Sequence, residues 1–223
     1  MILDGLTRKS LTEQIYDRLR HDITRKIIKC NEKIEINKLK ETLKTSQTPI
    51  REALMKLEHE GLVEFIPNVG ARVISISQQD IKEVFDVNRM CDCEAICLAL
   101  KSEQVESLIN ELKFHVEAHA KIVEMQPSEE YWYQAQQVHG VFYKYADNKV
   151  LSKIALQIQG KADMLFGGYI LLEKNRHCGV EEHFMIYEAV SNRDADKAVE
   201  YMRLHWENAK LRLIQWCDKD GYC

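Results

Sequence analysis

Three histidines carry the clearest chemical signal in the chain. Trp132, Ala135, His139, Phe142 and Ala146 recur at i, i+3, i+4 spacing, which puts His139 on the apolar stripe of a helix. His183 keeps helical register with Tyr187 and Val190, and His205 with Ala198, Tyr201, Met202 and Ala209. Each histidine falls on the inward face of a different helix, and inward side chains of a bundle can converge on one site. Neutral imidazole suits zinc, nickel, iron or copper. The pattern therefore points to a divalent metal centre, zinc or nickel first. The bland alternative is three hydrogen-bonded core histidines. Gln136, one turn from His139, can offer a further oxygen. His115 and His119 are also spaced for two ligands on one helix face, but with no third partner in view they read as exposed.

A second set of residues suits nucleic acid. Gln47, Thr48 and Arg51 open a short helix that follows another short helix. In a helix-turn-helix, the first residues of the second helix reach base edges in the major groove. Gln47 can bind adenine through both amide atoms, Thr48 suits a phosphate or a thymine methyl, and Arg51 can pair with guanine or phosphate. Arg8, Lys9, Asn37, Lys38 and Arg72 are candidates for backbone contacts, with Asn68 and Gly70 at a wing tip near the minor groove.

The elements that position these residues can be read locally. Ser10-Leu11-Thr12-Glu13 is a capping box, and Leu11, Ile15, Leu19 and Ile23 form the stripe of a first helix. A second helix fits 36–44 with Leu39 and Leu43 inward. A third fits 47–60 with Ile50, Ala53, Leu54 and Leu57 inward and Pro49 in its first turn. Gly61 suits the left-handed position after that helix. Residues 62–66 and 71–76 flank the turn Pro67-Asn68-Val69-Gly70 and predict a hairpin. Ser77 starts a run of six helices over 79–101, 103–125, 128–147, 149–173, 180–191 and 194–217, with Lys174-Asn175-Arg176 among the breaks between them. The expected fold is mainly α: a winged helix-turn-helix over 1–76, then an antiparallel all-helical bundle over 77–223 for effector binding and dimerisation.

Charge divides at the same place. Residues 1–76 hold 14 Lys+Arg and 11 Asp+Glu, net +3, and residues 77–223 hold 17 and 24, net −7. A basic front and an acidic rear suit a protein with one half on DNA and one half off it. No run of about 18 apolar residues occurs, so no membrane span is expected. The opening residues lack a signal-peptide pattern, and the seven cysteines read as reduced thiols, so the expected location is cytoplasmic.

Ser46-Gln47-Thr48-Pro49-Ile50-Arg51-Glu52-Ala53-Leu54, Leu57-Glu58-His59-Glu60-Gly61-Leu62-Val63 and Pro67-Asn68-Val69-Gly70-Ala71-Arg72-Val73 resemble the GntR family of bacterial transcription regulators. The helical remainder resembles the FadR-type ligand-binding (FCD) domain. The resemblance implies a homodimeric, metabolite-responsive regulator, more often a repressor, of double-stranded operator DNA. Its effector would be a small carboxylate, an organic or sugar acid. It also implies a divalent metal held by one Asp and three His, the latter at His139, His183 and His205, with Arg89 as a carboxylate clamp. Three departures stand out: Gln47 and Val69 replace arginines common in the family, and Asn37 replaces a basic residue. A fourth concerns the metal: the Asp expected four residues before His139 is Ala135. Either water or effector completes a three-histidine shell, or the site binds a ligand without metal. A metal-dependent enzyme on the same three histidines, with Glu182 as general base, is the alternative to a regulator.

Overall fold

The computed structural model describes residues 9–123, 129–169 and 173–220. The chain divides into two compact units between Ile76 and Ser77.

The first unit contains α1 (Leu11–Thr24), α2 (Ile36–Leu43), α3 (Gln47–His59), β1 (Val63–Ile66) and β2 (Gly70–Val73). Ser10 caps α1 with both arms of the expected capping box: Glu13 N–H donates to Ser10 Oγ, and Ser10 N–H to Glu13 Oε2. Ile15, Leu19 and Ile23 of α1 pack on Ile50, Ala53, Leu54 and Leu57 of α3 to form the core. Thr12 Oγ1 donates to Glu52 Oε2 at 2.8 Å and ties the same two helices.

Two inward assignments are corrected. Leu11 is exposed, so the stripe begins one turn later at Ile15; Leu43 is exposed, and α2 buries no residue fully. An eight-residue helix packed chiefly against α3 leaves its final turn in water. Gly61 takes the left-handed conformation after α3 (φ 67°) as expected. The hairpin pairs Val63 with Val73 and Ile66 with Gly70. At its tip Asn68 (φ 63°) and Gly70 (φ 102°) both turn the chain through positive φ.

The second unit holds α4 (Gln78–Ala99), α5 (Val105–Lys121), α6 (Glu129–Ala146), α7 (Lys149–Tyr169), α8 (Glu173–Ser191) and α9 (Ala195–Asp220). Ser77 and Asp80 form a second capping box at the start of α4. α4 packs against α6, α7 and α9, α5 against α6 and α8, and α8 against α9. The break expected at Lys174-Asn175-Arg176 is overturned, because α8 already runs from Glu173. Polarity suggested a loop, yet Asn175 and Arg176 are buried. Tyr131 Oη donates to the Arg176 carbonyl, and Arg176 Nε to the Val123 carbonyl, so these polar groups are satisfied inside. Cys91, Cys93, Cys97, Cys178 and Cys217 carry free thiols. Cys30 departs from the reduced set and is disulfide-bonded. Among the described residues no helix is long and apolar enough to cross a membrane.

Candidate functional site

The bundle brings His139 (α6), His183 (α8) and His205 (α9) together, with one potential ligand atom from each lying within 4.8 Å of the others. The outer nitrogen of every ring is engaged. His139 Nδ1 donates to Asp92 Oδ2 at 2.7 Å, and His205 Nδ1 to Glu182 Oε2 at 2.8 Å. His183 Nδ1 lies 3.1 Å from Nδ1 of His119 on α5. With each Nδ1 engaged, Nε2 is the ring nitrogen available to a metal. His183 Nε2 and His139 Nε2 are 3.3 Å apart. Zinc–nitrogen bonds of about 2.0–2.1 Å in tetrahedral geometry put ligand nitrogens about 3.3–3.4 Å apart, so this pair already has a coordination spacing. Outer hydrogen bonds that fix tautomer and ring orientation are a regular companion of metal-ligating histidine.

Electrostatics favour the same state. Burial lowers the His183 pKa well below its ordinary value, and the neighbouring His205, His119 and His139 lower it further. Burial also lowers His205, outweighing the opposing pull of Glu182. These two imidazoles are therefore neutral at pH 7, the form that binds metal. Glu182 is held down to about 2: burial raises it, but hydrogen bonds from His205 and Arg212 prevail. Both Glu182 oxygens are engaged, by His205, Asn208 and two Arg212 nitrogens. Glu182 is thus locked as an anchor, which removes the general base that the enzyme alternative required.

The carboxylate that serves His139 is Asp92 of α4. It also accepts from Tyr143 Oη and Trp206 Nε1, so three donors from two helices hold it. Sequence reasoning missed this residue. A signal was present, because Asn88 and Asp92 continue the buried face of Ile81, Val84, Phe85, Ala95 and Ala99. His119 was missed too and is a correction: it is buried, not exposed. It extends the apolar face Leu108, Leu112 and Val116 of α5 at helical spacing. His119 Nε2 is buried with no hydrogen-bond partner, a state that costs about 1–3 kcal/mol when nothing fills it.

A cavity of about 320 Å³ opens onto this centre. His119, His139, His183 and His205 line it, together with Tyr131, Trp132, Tyr143, Leu156 and Trp206. That volume lies at the lower end of small-molecule pockets. Gln136 lines the cavity as expected, but its amide nitrogen donates to Asp163 Oδ1. Ala135 also lines it and offers only a methyl group. Arg89 does not line it. Asn88 and Asp92 face the cavity, and Arg89 sits about 100° round the helix from Asn88, with Nη2 3.5 Å from Asp86 Oδ1. No lysine or arginine lines the cavity among the described residues.

In the first unit, Thr48 and Arg51 are exposed at the start of α3, and Gln47 is half-buried beside them. Gln47 Nε2 donates to Asn37 Oδ1 of α2 at 2.8 Å. Lys38 is exposed; Lys9 is paired with Asp17 at 2.7 Å. Asn68 and Gly70 stand at the wing tip, and Arg72 Nη1 donates to Asn31 Oδ1. Arg8 lies outside the described residues.

A winged helix-turn-helix followed by an all-helical bundle is the architecture of a DNA-binding transcription regulator. Residues 11–73 match the gntR family of bacterial regulatory proteins, and residues 83–208 match the FCD domain. The chain belongs to the GntR family, with an FCD domain as its C-terminal half, and is a transcription regulator, not an enzyme. It is 21% identical to the repressor RspR of Escherichia coli K12, over 95% of this chain and 93% of that one. It is 21% identical to the gluconate operon repressor of Bacillus licheniformis, over 93% and 87%. Among solved structures, Escherichia coli McbR/YncC superposes with a TM-score of 0.75 at 19% identity, covering 94% of this chain and 99% of that one. A GntR regulator from Rhodococcus sp. RHA1 gives the same TM-score at 14% identity, covering 92% and 97%.

Proposed function

We propose that this regulator senses a small carboxylate through a divalent metal, zinc or nickel, held by His139, His183 and His205. The observation that carries the reading is the convergence of the three rings, one potential ligand atom of each within 4.8 Å of the others and each ring held at Nδ1 by Asp92, Glu182 or His119. A metal there supplies the positive charge that the cavity wall otherwise lacks. With three protein ligands, a fourth position stays open for water or effector. The winged unit binds operator DNA as a cytoplasmic homodimer, since twofold protein symmetry matches a palindromic site. Gln47, Thr48 and Arg51 reach bases, and Asn37, Lys38, Asn68, Gly70 and Arg72 flank them. Effector binding must favour one arrangement of the two DNA heads over the other, through residues 74–80, or it cannot regulate.

Two measurements test this. Protein purified without an affinity tag is analysed for metal before and after reconstitution with zinc or nickel; about one ion per chain is expected, and none after reconstitution refutes the metal. Operator affinity is then measured with and without metal and carboxylates. Equal affinity throughout refutes the sensing role.

A further inference from the structure

The polar side chains that line the cavity spend their hydrogen bonds on the protein itself. Tyr131 Oη donates to the Arg176 carbonyl, Tyr143 Oη to Asp92, and Ser152 Oγ to the Asn148 carbonyl. Trp132 Nε1 donates to Asp163, and Trp206 Nε1 to Asp92. A hydroxyl or an indole has one hydrogen, so each of these donors is used up. Gln136 and Asn88 commit one amide hydrogen each, to Asp163 and to the Val84 carbonyl. Asp92 accepts from His139, Tyr143 and Trp206. Outside the histidines, the unspent side-chain donors of the wall are amide hydrogens alone, among the described residues.

The rest of the wall is largely hydrocarbon. Ala135, Ala155, Ala162 and Ala209 are buried and line it with bare methyl groups. Leu156, Trp132 and Trp206 add larger apolar surface. No lysine or arginine lines it among the described residues. A polyhydroxylated acid entering here would exchange much of its water for hydrocarbon, and each hydroxyl left unpaired costs about tenfold in affinity. An apolar body gains from the same burial. An aromatic body gains further from offset or edge-on contact with the tryptophans. A second carboxylate would find no counter-charge away from a metal.

We propose that the effector is a monocarboxylate with an apolar, single-ring body, an aryl-alkanoic acid and not a sugar acid or a dicarboxylate. The place of its carboxylate, at the open coordination position, rests on the three-histidine metal reading. Its apolar body is argued from the wall alone. A cavity at the lower end of the size range of small-molecule pockets has room for one ring on a short acid arm.

The test is calorimetric titration of the full-length protein, once loaded with zinc and once in chelator. The probes are phenylacetate and 3-phenylpropionate, against gluconate, galactonate and adipate. With zinc, at least one of the two aryl acids is expected to bind about tenfold or more tighter than each of the other three. In chelator that affinity should fall by about tenfold or more. A sugar acid or adipate that binds as tightly as the aryl acids overturns the proposal and leaves the metal site standing. Aryl preference that is equal with zinc and in chelator keeps the apolar body and overturns the role of the metal. No binding of any probe to the zinc-loaded protein overturns both. Trp132→Ala removes one ring from the wall without touching the three histidines. It should weaken the aryl acid about tenfold and leave zinc uptake unchanged. Aryl affinity unmoved by Trp132→Ala overturns the proposal, because the acid then binds outside this cavity. Should Trp132→Ala not fold, the comparison of the five acids, made on the unmodified protein, still decides it.

Discussion

Asp92 on α4 accepts a 2.7 Å hydrogen bond from Nδ1 of His139 on α6. The family resemblance implies an Asp one turn before His139, where Ala135 stands. Here the carboxylate comes from another helix and reaches the imidazole from behind. Its oxygens are already taken by His139, Trp206 and Tyr143. Asp92 therefore orients the His139 ring and strengthens its basicity, with neither of its oxygens left over.

Asp92→Asn should weaken metal binding by about 10–100-fold, the usual effect of losing an outer carboxylate. An amide offers one acceptor oxygen to three donors and turns its NH2 toward one of them. Competition against a zinc chelator measures the change. Unaltered zinc affinity with the fold intact would reduce the Asp92–His139 contact to packing.

Ala135→Asp tests the opposite proposition. Ala135 lines the cavity and is 8% exposed, so an aspartate there enters a nearly dry site. Without metal it adds a buried charge beside Asp92 and should lower stability by a few kcal/mol. With zinc it can take the open coordination position, and the loss should be recovered or reversed. Urea unfolding with zinc and with chelator reads both arms. A variant equally stable in both conditions would mean that no metal comes within reach of residue 135.

Much of this molecule is legible in local sequence, and the misses share a cause. The capping boxes at Ser10 and Ser77, the α3 core residues and the hairpin depend on neighbours a few residues away. So does the placement of His139, His183 and His205 on inward faces. What failed was polarity used as a proxy for exposure. Asn175 and Arg176 looked like a loop and His119 like surface, because the partners that satisfy or surround them lie 45 to 64 residues away in the chain. Asp92 failed for the same reason, its partners being His139, Tyr143 and Trp206. The Arg89 clamp rested on resemblance, and α4 turns that side chain away from the cavity. Arg89→Ala should accordingly leave carboxylate binding unchanged.

The metal-free protein should lose stability as pH falls below about 6.5. Burial lowers His119 to about 3, and lowers His183 and His205 too. Unfolded, each titrates near 6.5. Between the unfolded and folded values the unfolded chain binds protons that the folded chain does not, so acid favours unfolding. The contribution is complete above about 6.5 and declines by up to about 1.4 kcal/mol per pH unit for each histidine. Facing groups oppose this only in part: Glu182 stabilises a charged His205, whereas Arg212 acts against it. Asp92 is bonded to His139, outside this trio. Urea midpoints in chelator at pH 7.5, 6.0 and 5.0 should fall in that order. Midpoints unchanged across that range would show that these imidazoles titrate alike in both states. With zinc bound the decline should steepen, because protons and metal compete for the same nitrogens.

On the DNA side, the pairing of Gln47 with Asn37 is the informative contact. An amide NH2 has two hydrogens. One is committed to Asn37 Oδ1, and the other, with Gln47 Oε1, remains for N7 and N6 of an adenine. Asn37 thus fixes the orientation of the Gln47 amide, at two positions where family members commonly carry a basic residue and an arginine. Gln47→Ala should relax preference for adenine at one base of each half-site by about 1–3 kcal/mol. Asn37→Ala should relax the same position less, because Gln47 persists but is no longer oriented. Arg51→Ala, exposed one turn further along α3, should weaken binding more broadly. In selection from random DNA followed by affinity measurement at fixed salt, the first two variants should blur one shared position, and the third should lower affinity for every site. If Asn37→Ala and Gln47→Ala blur different positions, the two side chains read independently, and the 2.8 Å contact between them is not part of recognition.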